Sequence, residues 1–221
     1  MAPVGKCLGR RSPGTLLVYK IQYCTIHGRP GFTQFQALGG QVRTLGPILR
    51  LIPDGAMKVQ RIEPGDWRDW KASRLQALAD SPEAFASSFA AEKGKPDEAW
   101  GEYARHCGAS PASAAFLARD EQGRVTGMVA AYLDGGEAAN AYVCAMWVVP
   151  ESRNRGVGRL LIDEATRWLM DAGASEVNAW VSGANASAVD FYETLGFVST
   201  GKRQALASHP SIHERLYVLR F

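Results

Sequence analysis

A mixed α/β fold, with one sheet of about seven strands and helices on both faces, is what the sequence predicts from residue 57 onward. Three observations predict it. Short apolar runs alternate with segments whose apolar residues recur every three or four positions, glycine or proline punctuates nearly every junction, and no internal repeat is present. At 221 residues, 46% hydrophobic and 21% charged, the chain can bury one sizeable core.

The elements follow in order. KVQRI (58–62) reads as a strand, and Pro64-Gly65-Asp66 turns it into a helix that the Asp66 carboxylate can cap. Trp67, Trp70, Leu75 and Leu78 give that helix one apolar face, and Ser81-Pro82 ends it. After a mixed stretch, a second helix is expected from Asp97 to about Cys107, with Trp100, Tyr103, Ala104 and Cys107 on one side and Gly108 as its stop. Strands AAFLARD (114–120) and RVTGMVAAYL (124–133) flank Asp120-Glu121-Gln122-Gly123, a hairpin turn whose glycine suits a positive φ. Strand AYVCAMWVV (141–149) leads into a loop. Val157, Leu160, Leu161, Ala165, Trp168, Leu169 and Ala172 then define an amphipathic helix closed by Gly173. Strand EVNAWV (176–181), a helix over about 185–195 ended by Gly196, and strands near FVSTGKR and ERLYVLRF complete the chain.

Charge divides the chain at the same place. Residues 1–56 carry seven Lys and Arg against one acid, with nine glycines and five prolines, whereas residues 57–221 carry 18 basic and 21 acidic residues. One main domain, 57–221, is therefore expected behind a basic, poorly ordered extension, 1–56. A nucleic-acid or membrane arm and an organelle transit peptide compete for that extension, but its glycine and proline density argues against an amphipathic helix. It reads as a segment without a role in function, with Met57 as the functional start. No apolar run approaches the ~18 residues of a membrane span. The four cysteines (Cys7, Cys24, Cys107, Cys144) form no C-x-x-C pair, which favours a reducing cytoplasm over a disulfide framework or a zinc site. His106-Cys107 alone is an ordinary helix end rather than half a metal site.

The loop VVPESRNRGVGRLL (148–161) carries the chemistry. Pro150 cannot donate to a ladder, so regular pairing ends there. The following helix offers N–H groups without intrahelical acceptors at the positive end of its dipole, where an anion is stabilised. Gly156 and Gly158 let a bulky anion approach the main chain, and Arg153, Arg155 and Arg159 add charge whose guanidinium forks match phosphate oxygens. The segment lacks the Lys-Ser/Thr ending of a P-loop, and Leu161 stands where a dinucleotide fingerprint needs its third glycine.

What the residues do match is R-x-x-G-x-G, Arg153-Asn154-Arg155-Gly156-Val157-Gly158, preceded by Val148-Val149-Pro150, and further on Asn185 followed by FYETLGF (191–197). With both, residues 57–221 closely resemble the GNAT superfamily of N-acetyltransferases. The resemblance implies a GNAT-like sheet splayed at its central strands, acetyl-coenzyme A as co-substrate with its pyrophosphate in the Arg153–Arg159 loop, and no metal. It also implies that backbone groups near Trp147, Val148 and Val149 hydrogen-bond the pantetheine arm and polarise the thioester carbonyl. Tyr192 takes the role of general acid for the departing thiolate, and Asn185 caps its helix or touches the cofactor.

One departure stands out: no carboxylate lies between Glu137 and Glu151, so the strand before the loop supplies no general base, and Tyr142 occupies the nearest equivalent position. Water, Glu92, Glu137, Glu214 or no dedicated group remain open for that role. The expected reaction is direct attack of a primary amine in a ternary complex, with a small-molecule acceptor ahead of a protein N-terminus or lysine. A non-catalytic acyl-coenzyme A sensor is the rival. Look-alikes are commonly homodimers, although apolar positions here are no more than a monomer can bury. Neither a membrane nor a nucleic acid is an expected partner.

Overall fold

The computed structural model describes residues 57–221; the expectations for 1–56 lie outside the described residues. The chain forms strands β1 (Lys58–Arg61), β2 (Ser113–Arg119), β3 (Val125–Leu133), β4 (Ala141–Val148), β5 (Glu176–Ser182), β6 (Val198–Leu206) and β7 (His209–Arg220). Its principal helices are α1 (Trp67–Asp80), α2 (Phe89–Lys93), α3 (Asp97–Ala109), α4 (Val157–Asp171) and α5 (Ala186–Thr194). All seven strands join one sheet in the order β1-β2-β3-β4-β5-β7-β6. Every neighbouring pair is antiparallel except β4 and β5, which α4 connects as a crossover. Among the described residues no helix is long and apolar enough to cross a membrane.

Two cores lie on the two faces. Alternate residues of the strands, among them Phe116, Val129, Val143, Ala179 and Tyr217, pack with Val157, Leu161, Ile162, Ala165 and Leu169 of α4. The intervening ones, Leu117, Met128 and Ala130, pack with Trp70 and Leu78 of α1 and Trp100 and Ala104 of α3. Burying residues of this size contributes roughly 1.5–3 kcal/mol each, which makes the two faces the main source of stability.

Several local features differ from sequence expectation. Asp66 does not cap α1 with its side chain; its carboxylate accepts instead from the Glu63 N–H at 2.8 Å and the Arg119 guanidinium at 2.8 Å. Leu75 is only half-buried, and the inward face of α1 includes a buried Arg74. The mixed stretch after α1 contains α2, capped by the Ser88 hydroxyl, which accepts from Ala91 N–H. Gly108 does not stop its helix, which runs on to Ala109; a Cβ there would meet the Ile62 carbonyl at 3.1 Å, so close packing and not termination calls for glycine. The expected turn glycine Gly123 does have φ +77°, and Gly173 and Gly196 follow their helices at φ +93° and +91°.

β4 and β5 pair at only two positions, Tyr142 with Asn178 and Val143 with Ala179, and then part. Asn178 pins the closed end by donating to the Ala141 carbonyl at 3.2 Å. Beyond it β4 is irregular: Met128 pairs with Trp147 but Ala130 pairs with Cys144, so β4 carries one extra residue. Ala145 sits there in the left-handed region, φ +52°, which costs a non-glycine residue about 1–2 kcal/mol. The extra residue resets the alternation. Ala141 and Val143 face α4, and after the bulge Met146 and Val148 face α4 again while Ala145 and Trp147 join the α1/α3 side.

Candidate active site

A cavity of about 570 Å³ opens where β4 and β5 diverge. One limb of the gap is β4; the other is β5 backed by β7. Alternate residues of a strand turn their backbone groups to opposite edges. The Val149 N–H donates to the Thr126 carbonyl at 3.0 Å, on the β3 side, so Trp147 shares that edge and Met146 and Val148 turn theirs toward the gap. Of the backbone groups expected to receive a ligand, those of Trp147 and Val149 are thus turned toward the ladder with β3, Val148 remains, and Met146 is added. The Val148 carbonyl also accepts from Arg153 Nε at 3.0 Å.

The loop after β4 ends at Gly156, φ +84°, the N-cap of α4. Leu160 N–H is the first to bond back within the helix, to the Gly156 carbonyl at 3.1 Å, which leaves the Val157, Gly158 and Arg159 N–H groups at the positive end of a 15-residue helix. Around Gly156 a Cβ would meet nothing within 4 Å, so the space in front of these amides is open. Gly158 has a different cause from the one its motif suggests. A Cβ there would meet Met146 Cε at 3.0 Å and the Phe191 ring at 3.1 Å, so it lets α4 close against α5 and β4.

The three arginines are not equivalent. Arg153 folds back onto the Asp80 carboxylate at the end of α1, where Asp80 also accepts from Trp147 Nε1 at 2.9 Å and Ser81 Oγ at 2.8 Å. Burial pushes the Asp80 carboxyl up, but the Trp147, Ser81 and Arg153 donors outweigh it and hold the group below its ordinary 3.8. Arg159 lies 3.7 Å from Asp163. Arg155 is exposed outside the cavity, Asn154 lines it with φ +59°, and Val157 is buried in the core behind it, contributing its amide only.

From the other limb, Tyr192 reaches the cavity from α5, 7% exposed and edge-on to Phe191 and Phe197 at 5.3 and 5.1 Å between ring centres. Burial, with Cys144 nearby as a second cause, pushes its phenol well above the ordinary 10, so the proton is firmly held. Asn185 caps α5, accepting from Ala188 N–H at 2.9 Å, and also lines the cavity.

The face away from α4 closes the site. Arg74 and Phe85 come from α1 and the turn after it, with the guanidinium 4.7 Å from the Phe85 ring centre and 3.9 Å from the buried Glu92 carboxylate. Trp180 and Glu214 come from β5 and β7; Glu214 is 5% exposed and accepts from Gln204 Nε2. The turn between β6 and β7 crosses to this side, where Ser208 Oγ donates to the Phe85 carbonyl. Of the carboxylates left open as a base, only Glu214 lines the cavity; Glu92 is engaged by Lys95 at 2.6 Å and Glu137 is exposed in the loop before β4. Sequence periodicity gave no sign of Arg74 or Trp180 here, because each reads as part of an ordinary helix or strand. Among the described residues no group of His, Cys, Asp or Glu could hold a metal ion, and burial pushes the Cys107 thiol up to about 11.

The geometry can be set beside known proteins. The sequence profile of the Acetyltransferase (GNAT) family matches residues 73–197. The chain is 30% identical over 174 residues to a mycothiol acetyltransferase of Thermobispora bispora, covering 76% of this chain and 55% of that one. A mycothiol acetyltransferase of Clavibacter sepedonicus is 30% identical over 164 residues, covering 74% and 49%. The chain thus spans about half the length of these curated relatives. Among solved structures, a GNAT-family acetyltransferase from Streptococcus pneumoniae superposes with TM-score 0.64 at 20% identity, covering 75% of this chain and 99% of the other. A spermidine N-acetyltransferase from Vibrio cholerae, solved with CoA and spermine, superposes with TM-score 0.60 at 18% identity, covering 75% and 95%.

Proposed function

The chain belongs to the Acetyltransferase (GNAT) family, and from that premise we propose that it transfers an acetyl group from acetyl-coenzyme A to the primary amine of a small molecule by direct attack in a ternary complex. The observation that carries the reading is the meeting of an open helix N-terminus at Gly156 with a strand edge that the sheet leaves unpaired beyond Val143. The amides of Val157, Gly158 and Arg159 suit a pyrophosphate, with Arg155 and Arg159 adding charge. The gap-facing backbone of Met146 and Val148 suits an amide-bearing arm laid in as an added strand.

Acyl transfer needs a polarised carbonyl, a nucleophilic nitrogen and a proton for the departing thiolate. A backbone N–H at the bulged part of β4 is the donor available for the carbonyl, held by the surrounding sheet without reorganisation. Tyr192 is the proton donor. Its raised phenol is a weaker acid than a free one, but a thiolate formed in the same desolvated place is raised for the same reason, so the proton has somewhere to go. The relatives named mycothiol acetyltransferases support a small-molecule acceptor.

Incubation of the chain with acetyl-coenzyme A and a panel of primary amines should release free thiol. A protein that binds coenzyme A and releases none across such a panel is a sensor and not an enzyme.

A further inference from the structure

Resting on the reading of the loop at Gly156 as the coenzyme A site, we infer that Asp80 is a positioning residue for the transfer: through Arg153 it holds the cofactor loop against the end of α1, from which the opposite wall of the cavity continues. Asp80 lies outside the cavity lining, whereas Arg153 and Ser81, which flank it, both belong to that lining. Three donors converge on one oxygen of its carboxylate, Oδ2, and each brings a different part of the site. Arg153 Nη2 brings the loop after β4, and Trp147 Nε1 brings the end of β4 at 2.9 Å. Ser81 Oγ, at 2.8 Å, begins the turn that carries Ala84 and Phe85 to the cavity wall.

Neither the helix nor the stability of the fold calls for an acid here. Asp80 is the last residue of α1, at the negative end of the helix dipole, where a carboxylate gains nothing from its own helix. The pair with Arg153 is also a minor source of stability, because the two side chains are 24% and 44% exposed and solvent screens such a pair.

What the contact does is geometric. Arg153 also donates through Nε to the Val148 carbonyl at 3.0 Å, so its planar fork is fixed at two ends, on β4 and on α1. Between Val148 and Arg153 the chain makes one short turn, Pro150–Ser152, which the Arg153 N–H closes by donating to the Pro150 carbonyl at 3.2 Å. Gly156 and the open amides of α4 follow directly. Fixing Arg153 therefore fixes the start of the segment that ends at the anion site. The same pairing matches the arginine's charge before any cofactor arrives, so Arg153 serves by holding the loop rather than as a free charge for phosphate. Without Asp80, binding would have to order the arginine and the loop itself.

The test is a calorimetric titration of coenzyme A into the full chain, for the wild type, Asp80→Asn, Arg153→Lys, Arg153→Gln and the double variant Asp80→Asn/Arg153→Gln, with a denaturant unfolding curve of each as the folding control. Asp80→Asn is expected to weaken coenzyme A binding about threefold to tenfold, the cost of ordering one such side chain on association. Arg153→Lys keeps the charge but not the two-ended fork, and should lose as much. The double variant should lose no more than the larger single loss, because the two residues act as one unit. Unfolding curves that shift while affinity stays within about twofold overturn the inference. So do losses that multiply in the double variant, Arg153→Lys binding like the wild type, or tighter binding by Asp80→Asn, which would make Arg153 a phosphate ligand that Asp80 restrains. Gly156→Glu in the same titration separates this role from the reading beneath it. If that variant abolishes binding while the Asp80 and Arg153 variants bind like the wild type, only the positioning role falls. If it leaves affinity unchanged, or the wild type does not bind coenzyme A, the cofactor loop falls and the role of Asp80 with it.

Discussion

The two mouths of the gap between β4 and β5 are built on opposite plans. On the α4 side, the groups that would hold a cofactor come from one continuous stretch, Arg153 to Arg159, and most are backbone amides whose direction is set by the helix itself. On the opposite side, Arg74, Phe85, Trp180 and Glu214 come from four separate elements, and each is a side chain placed by long-range pairing. A backbone site tolerates changes in neighbouring side chains and is damaged by whatever blocks its amides. A side-chain site can be retuned one residue at a time.

Variants on either side sharpen this contrast, and they rank by size of effect. Gly156→Glu places bulk and negative charge in the open space before the α4 amides, at a φ of +84° that disfavours side chains, and should weaken coenzyme A binding by at least about 100-fold in a calorimetric titration. Retained affinity would remove the anion loop from the mechanism. Tyr192→Phe should lower kcat for thiol release by about tenfold to 100-fold while coenzyme A affinity stays within about twofold, since only proton donation is lost. Equal falls in affinity and rate would make Tyr192 a packing residue.

Ala145→Val puts a β-branched side chain at φ +52° and should cost about 2 kcal/mol in denaturant unfolding, because the strain that alanine bears there increases. Asp80→Asn should cost about 1 kcal/mol at neutral pH through weakened bonds to Arg153 and Trp147. Asp80 is held below its ordinary 3.8, so its contribution is complete above about pH 4 and disappears as pH falls through the lowered folded value; the asparagine variant should lose less stability over that acid range than the wild type. A parallel acid limb in both proteins would show that the carboxylate is not the linked group.

Most of the architecture was legible because local signals carry it. Strands and helices announced themselves by period, and Gly123, Gly173 and Gly196 marked turns at positive φ as their places implied. The loop after β4 and the helix start behind it were legible for the same reason, being contiguous. Glycine proved ambiguous where packing competed with conformation: Gly108 and Gly158 are small because the Ile62 carbonyl and the Phe191 ring press on them, and nothing in the sequence separates that cause from a helix stop or a ligand approach. The face of the cavity away from α4 was illegible. Trp180 and Glu214 become neighbours only through the β5–β7 register, and the Arg153–Asp80 pair spans 73 residues. The bulge in β4 was hidden too, since AYVCAMWVV is a continuous apolar run without a period to break and Ala145 carries no mark of its left-handed backbone.

That single surplus residue governs the parity of the strand. By slipping odd and even places past each other, it lets one stretch of eight residues serve two layers: its start is read by α4 through Ala141 and Val143, and its end sends Trp147 across to α1 while Val148 stays with α4. Deleting Ala145 would restore regular alternation, leaving Met146 and Val148 toward α4 and Trp147 toward α1, and would remove the left-handed kink at which β4 turns away from β5.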